Sequence, residues 1–266
     1  MSGVTIEGKI VVVTGGASGI GRALCERFVA ERAAAVWVVD RDRAGAEAVA
    51  AAIGGRAAAV DVRHEAEITN LVREVEAAHG RIDVFCSNAG VAVGGSEAAA
   101  DDVWALGWDV HVMAHVYAAR AVLPGMLKRG GGALLQTASA AGLLTNLGAA
   151  PYAVTKHATV ALAEWLAVTY GDRGIHVSVL CPMAVDTPLL AASMAVSAAA
   201  RSVTMAGKTV SPAEAAEAVV RGLEKGSFWI LPHPEVARFA QHKAGDIDSW
   251  LSAMRHYKRK VDAASS

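Results

Sequence analysis

Lys9-Ile-Val-Val-Val-Thr-Gly-Gly-Ala-Ser-Gly-Ile-Gly21 decides the fold. A short apolar, β-branched run reads as a strand buried on both faces, and the glycines after it open the helical pattern of Gly19 to Glu31. Gly15, Gly19 and Gly21 form a Gly-x-x-x-Gly-x-Gly turn, with Ser18 and Ile20 flanking the second glycine. Without Cβ atoms at these positions the backbone can approach a pyrophosphate. The helix N-terminus then adds N–H donors and the positive end of its dipole. A glycine loop placed after a strand and before a helix is the context that gives this motif meaning.

Outward from this segment, short apolar runs alternate with longer alanine-rich helical patterns. The sequence predicts strands at Lys9 to Thr14, Ala35 to Asp40, Ala57 to Asp61, Ile82 to Ser87, Gly132 to Thr137, His176 to Cys181 and Phe228 to Leu231. It predicts helices near Gly19 to Glu31, Arg43 to Ile53, Glu65 to His79, Asp101 to Lys128, Pro151 to Asp172 and Pro212 to Glu224. Such alternation implies one doubly wound α/β domain with a parallel sheet of about seven strands covered on both faces. No repeat or linker divides residues 1–266. Ligands of such sheets bind beyond the carboxyl ends of the strands.

Asp40 ends the second strand, nineteen residues after Gly21. A carboxylate there accepts hydrogen bonds from ribose hydroxyls and repels a 2′-phosphate, which favours NAD. Arg41, next to it, is the one residue that argues for NADP. Further on, Tyr152 and Lys156 lie one helical turn apart, with Ser139 thirteen residues upstream of the tyrosine. A phenol ionises near pH 10, and a neighbouring ammonium favours the phenolate. A serine hydroxyl beside the pair can hydrogen-bond a substrate oxygen while the tyrosine moves its proton.

Together these features resemble the short-chain dehydrogenase/reductase family over roughly residues 6 to 232. The resemblance rests on the glycine loop, Asp61-Val62, Asn88-Ala89-Gly90, Ser139, Tyr152 with Lys156, and Pro182-Met-Ala-Val-Asp-Thr-Pro188, in family order. It implies a Rossmann-type domain that transfers a hydride between a nicotinamide and an alcohol or ketone. By it, Asp61 and Val62 hold the adenine, and Asn88, Ala89 and Gly90 line the cofactor cleft. Pro182, Val185 and Thr187 border the nicotinamide amide, and Lys156 also reaches the nicotinamide ribose. Tyr152 becomes the general acid or base, and Ser139 orients the substrate oxygen. It also implies a homodimer or homotetramer built on the fourth and fifth helices. One position departs from the pattern: His111 stands where the family places an asparagine in a proton relay. A histidine there can pass protons itself. Met183 follows Pro182 where the family usually has glycine.

Net charge is −1, which gives no electrostatic reason to expect nucleic acid or an anionic membrane as partner. No apolar run approaches the ~18 residues of a membrane span. The start of the chain carries no export-signal pattern, and Cys25, Cys86 and Cys181 read as buried thiols, so a cytoplasmic location is expected. His111 and His115 have the spacing of a helical metal pair, but no third ligand is apparent and no metal is expected. Residues 189–209, rich in alanine, serine and methionine, read as a flexible substrate lid. Leu143, Leu144, Leu189, Leu190 and Met194 make the expected substrate an uncharged hydrophobic alcohol or ketone, cyclic or steroid-like. The extension 232–260, with Trp250, Leu251, Met254 and Tyr257 at helical spacing, is expected to cap the pocket or join subunits. Two other readings remain: an NADP-dependent carbonyl reductase, and a non-catalytic nucleotide-binding redox sensor.

Overall fold

Valine fills the central strands because both faces of a parallel sheet are covered by helices. The computed structural model describes residues 3–196 and 199–263. Its seven strands are β1 (Ile10–Thr14), β2 (Ala35–Asp40), β3 (Arg56–Ala59), β4 (Val84–Ser87), β5 (Gly132–Thr137), β6 (Ile175–Leu180) and β7 (Trp229–Ile230). They form one sheet in the order β3-β2-β1-β4-β5-β6-β7. Every neighbouring pair is parallel. The chain steps outward from β1 to β3 and then returns to β1's other side, so β1 and β4 flank the topological switch point. This is a Rossmann-type α/β domain, as expected.

The pleat divides the core in two. Val11, Val13, Val36 and Val38 face helices α1 (Gly19–Ala30), α2 (Arg43–Ile53) and α9 (Pro212–Glu224), where Leu24, Phe28, Val49 and Leu223 are buried. Ile10, Val12, Trp37 and Val39 face the opposite layer, built by α3 (Glu65–His79), α5 (Ala114–Lys128) and α6 (Ala150–Tyr170). Local signals set helix ends. Ser211 and Glu214 make a reciprocal capping box on α9, and α3 stops at Gly80 with φ 75°.

Two elements differ from the sequence reading. The pattern of Asp101 to Lys128 predicts one helix, but α4 (Asp101–Trp108) passes through a π-helical turn, Asp109–Met113, before α5. The Ala114 N–H reaches back to the Asp109 carbonyl, and the His111 carbonyl accepts from Thr159 Oγ1 of α6 at 2.6 Å. That hydroxyl from a neighbouring helix gives the carbonyl a partner outside the regular α ladder. The segment expected to be a flexible lid contains helices α7 (Pro188–Val196) and α8 (Ala199–Ala206). Positions 197 and 198 of that segment lie outside the described residues. The extension forms α10 (Glu235–Gly245) and α11 (Ile247–Ala263), with Trp250 buried.

Candidate active site

A cleft of about 350 Å³ opens past the carboxyl ends of the central strands. One wall is the glycine loop, with Gly15 at φ 69° and Gly19 at φ 53°. A Cβ on Gly21 would overlap the Gly15 carbonyl oxygen, so only glycine permits the α1 N-terminus to lie this close to the loop. Ser18 and Ile20 also face the cleft. Thr187 closes the loop from above, its methyl 3.1 Å from where a Gly19 Cβ would stand. Thr187 Oγ1 donates to the Val185 carbonyl at 3.2 Å and accepts from Leu190 N at 3.2 Å, which caps α7.

Asp40 lies at the far end of the cleft beside Arg41. Its carboxylate accepts from Ala17 N and Asp42 N, each at 3.1 Å, and these bonds hold it at the β2 terminus. Asp61 and Val62 line the same end. Arg63, which the sequence reading missed, hydrogen-bonds both Asp61 oxygens and is the main reason that carboxyl is pushed down to about 2. Asn88, Ala89 and Gly90 form the opposite wall. The Asn88 side chain is structural: its Nδ2 donates to the Thr14 carbonyl at 3.0 Å, and its Oδ1 accepts from Thr137 Oγ1 at 3.0 Å. It therefore ties β1, β4 and β5 together at the switch point. The glycine cradle, the carboxylate at the ribose end and the narrow backbone walls fit a dinucleotide.

At the other end Ser139, Tyr152 and Lys156 converge, with Pro182, Val185 and Thr187 nearby. The Ser139 hydroxyl donates to the Pro182 carbonyl at 3.4 Å and accepts from Ala141 N at 3.2 Å, and it faces the Tyr152 phenol. Lys156 Nζ donates to the Thr137 carbonyl at 2.9 Å and lies 5.7 Å from the Tyr152 ring centre. Burial pushes the Lys156 ammonium down to about 8. The spacing predicts that this ammonium lowers the Tyr152 pKa. Instead, burial raises the phenol above its ordinary value, with the neighbouring Ser139 hydroxyl opposing it. The physical reason is visible in the contacts: Lys156 Nζ turns toward Thr137, while the phenol loses solvent.

His111 is not part of the cleft wall. It is fully buried in the π-turn, its ring edge-on to Tyr152 with centroids 5.3 Å apart. Nδ1 lies 2.9 Å from Thr155 Oγ1, and that hydroxyl donates to the Pro151 carbonyl at 2.8 Å. His111 Nε2 lies 3.2 Å from Val91 N and 3.1 Å from the Val91 carbonyl oxygen, so both ring nitrogens have polar partners. Burial and the Lys156 charge hold this imidazole neutral, with its pKa well below the usual value. His115, one turn on, is also buried, and its pKa is pushed down to about 3.

Met183 lines the substrate end, together with Leu189, Leu190, Ser193 and Val203 from α7 and α8. Asn146 joins them with its Oδ1 shielded from solvent and without a protein partner. Of the substrate-side residues the sequence names, Leu189 and Leu190 line this end, whereas Leu143, Leu144 and Met194 are not on the cleft wall. Val203 and Asn146 carry no motif and could not be found from the sequence.

Residues 9–197 match the short chain dehydrogenase family, and the chain belongs to it. The chain is 36% identical over 266 residues to 1-deoxy-11-beta-hydroxypentalenate dehydrogenase of Streptomyces avermitilis, covering 96% of this chain and 93% of that protein. It is 37% identical over 194 residues to 2,5-dichloro-2,5-cyclohexadiene-1,4-diol dehydrogenase of Sphingobium indicum, covering 71% and 77% of the two chains. Among solved structures, a short chain dehydrogenase/reductase from Burkholderia phymatum in complex with NAD superposes with a TM-score of 0.83 at 27% identity, covering 92% and 96% of the two chains. The protein is thus an oxidoreductase by family, with a cleft suited to a nicotinamide dinucleotide.

Proposed function

We propose that the protein is an NAD-dependent oxidoreductase that interconverts a hydrophobic, cyclic secondary alcohol and its ketone. The convergence of Ser139, Tyr152 and Lys156 at one end of the cleft carries this reading. The cyclic alcohols named for two relatives support the substrate class. The apolar side chains of Met183, Leu189, Leu190 and Val203 support it as well. When bound, the nicotinamide takes or supplies the hydride at the carbinol carbon. Gly15, Ser18, Gly19, Ile20 and Gly21 would hold the pyrophosphate, Asp40 and Arg41 the adenosine ribose, and Asp61 with Val62 the adenine. Asn88, Ala89, Gly90, Pro182, Val185 and Thr187 would flank the nicotinamide half.

Tyr152 handles the proton on the substrate oxygen, and Ser139 hydrogen-bonds that oxygen. With the phenol raised by burial, Tyr152 stays protonated to higher pH, so reduction is favoured near neutral pH and oxidation gains as pH rises. Lys156, charged below about 8, would hydrogen-bond the nicotinamide ribose. His111 acts through Tyr152 and Val91 as a positioning residue.

Arg41 beside Asp40 is the one observation that favours the NADP-dependent reading. A panel of cyclic secondary alcohols and ketones, assayed by NADH absorbance, tests the proposal. At least one pair should turn over, with kcat/KM for NAD above that for NADP by about tenfold or more, or about 1.4 kcal/mol. A strong NADP preference would contradict the role given to Asp40. The apolar stripe of Val154, Trp165 and Val168 on α6, with Trp108 on α4, supports a homodimer or homotetramer. The absence of a long apolar helix among the described residues and the three buried thiols support a cytoplasmic location.

A further inference from the structure

The C-terminal extension lies outside residues 9–197, the part that matches the family. Three of its side chains reach the loops that build the substrate end of the cleft. His233 is buried, and its Nδ1 accepts from Met183 N at 3.1 Å while Nε2–H donates to the Lys208 carbonyl at 3.0 Å. Tyr257 Oη donates to the Ser202 carbonyl at 2.5 Å, next to the cleft-lining Val203.

The third contact is the most developed. Lys243 Nζ donates to the carbonyls of Leu143 and Leu144, each at 2.8 Å. It also lies 3.2 Å from His157 Nε2 and 5.2 Å from the centre of the Trp250 ring. His157 Nδ1–H donates to the Ala153 carbonyl at 2.8 Å, so its Nε2 is the lone pair that accepts from Lys243. Leu143 and Leu144 follow the short 3₁₀ turn Ala140–Gly142, which begins beside Ser139. Their carbonyls are the unsatisfied end of that turn, where a cation makes charge-assisted bonds. One ammonium from α10 therefore joins the loop after Ser139 to the helix that carries Tyr152 and Lys156. The same loop continues to Asn146 and Ala149, which line the cleft.

We propose that Lys243 is a positioning residue for the substrate, and that α10 and α11 clamp the substrate end of the site. This rests on the reaction proposed above. Lys243 sets the placement of residues 143–149 relative to Ser139 and Tyr152, and Tyr257 sets α8 on the facing side. Among the described residues, Lys243 and Tyr257 make no hydrogen bond to the adenosine end of the cleft.

The test compares wild type with Lys243→Met, Lys243→Arg and Tyr257→Phe in the full chain. It uses steady-state kinetics on the best cyclic alcohol, NADH binding by fluorescence, and amide hydrogen exchange. Lys243→Met should raise KM about tenfold, with kcat and the NADH Kd within about twofold. Lys243→Arg should recover most of that loss, since its guanidinium can still donate to both carbonyls. Tyr257→Phe should raise KM in the same direction by a smaller factor. Exchange over residues 140–149 should quicken about tenfold in Lys243→Met and stay unchanged over residues 15–21. An unchanged KM in an active Lys243→Met enzyme overturns the proposal, as does a loss shared equally by KM, kcat and NADH affinity. If Lys243→Met fails to fold, Lys243→Gln takes the same measurements. If the wild type turns over nothing in the panel, the proposed reaction fails, and exchange over residues 140–149 alone decides the clamp: no change there overturns it.

Discussion

His111 shows how much one substitution in a family pattern can change at the residue scale. A histidine that titrates near neutral pH is a natural proton carrier, and by position alone it belongs in a relay. Its surroundings assign it other work. Both ring nitrogens are bonded to Thr155 and Val91, its carbonyl is taken by Thr159, and burial keeps it neutral. It fixes the Tyr152 ring from below. His111→Ala should therefore lower kcat by about tenfold, because the Val91 backbone loses its ring partner and Tyr152 loses its packing. His111→Asn, which retains a donor and an acceptor, should recover part of the rate. The pH profile of kcat should keep its midpoint in both variants. A shifted midpoint would make His111 a proton carrier instead.

At the scale of elements, the glycine loop is the least tolerant part of the fold. A methyl at Gly21 would meet the Gly15 carbonyl, and Asn88 Nδ2 lies 2.6 Å from the same point. Gly21→Ala is expected to weaken NADH binding by about tenfold or more while the sheet remains folded, which fluorescence titration and circular dichroism can read together. This loop, Asp40, Ser139 and the Tyr152–Lys156 pair were legible in the sequence because each depends on local spacing along one strand end or one helix turn. Helices α2, α3 and α9 were legible to the residue for the same reason, their ends marked by Asp42, Gly80 and Ser211. The π-turn was not legible, since the apolar pattern of Asp101 to Lys128 runs through it and its cause lies 48 residues away at Thr159. Lys243 was equally hidden, as it meets Leu143 across 100 residues with no motif at either end. Helices α7 and α8 in the proposed lid segment were not legible either, since its small side chains read as loop, yet alanine is also the best helix former.

For the whole molecule, two apolar layers on a valine-rich sheet supply the stability, and buried histidines make it depend on pH. His115 is held at about 3 and His111 well below 6.5, both chiefly by burial. The unfolded chain binds protons on these residues near pH 6.5, while the folded protein does not. Stability from this source is complete above that pH and falls as pH drops below it. At pH 5 the loss should be about 2 kcal/mol per histidine relative to pH 7, measured by urea unfolding. His115 has a ring nitrogen with no partner, so His115→Leu should fold and should flatten this slope. An identical slope in the variant would remove His115 from the pH dependence.

The central claim is that Tyr152 moves the proton in a hydride-transfer reaction for which the rest of the cleft holds the cofactor. The most direct test is the turnover of Tyr152→Phe on the best cyclic alcohol, measured beside its NADH affinity. The phenylalanine keeps the ring against His111 and removes only the hydroxyl. Turnover should fall by about 10²–10⁴-fold, the range for a lost general acid or base, with the NADH Kd close to that of wild type. A variant that retains most of its turnover would contradict the account.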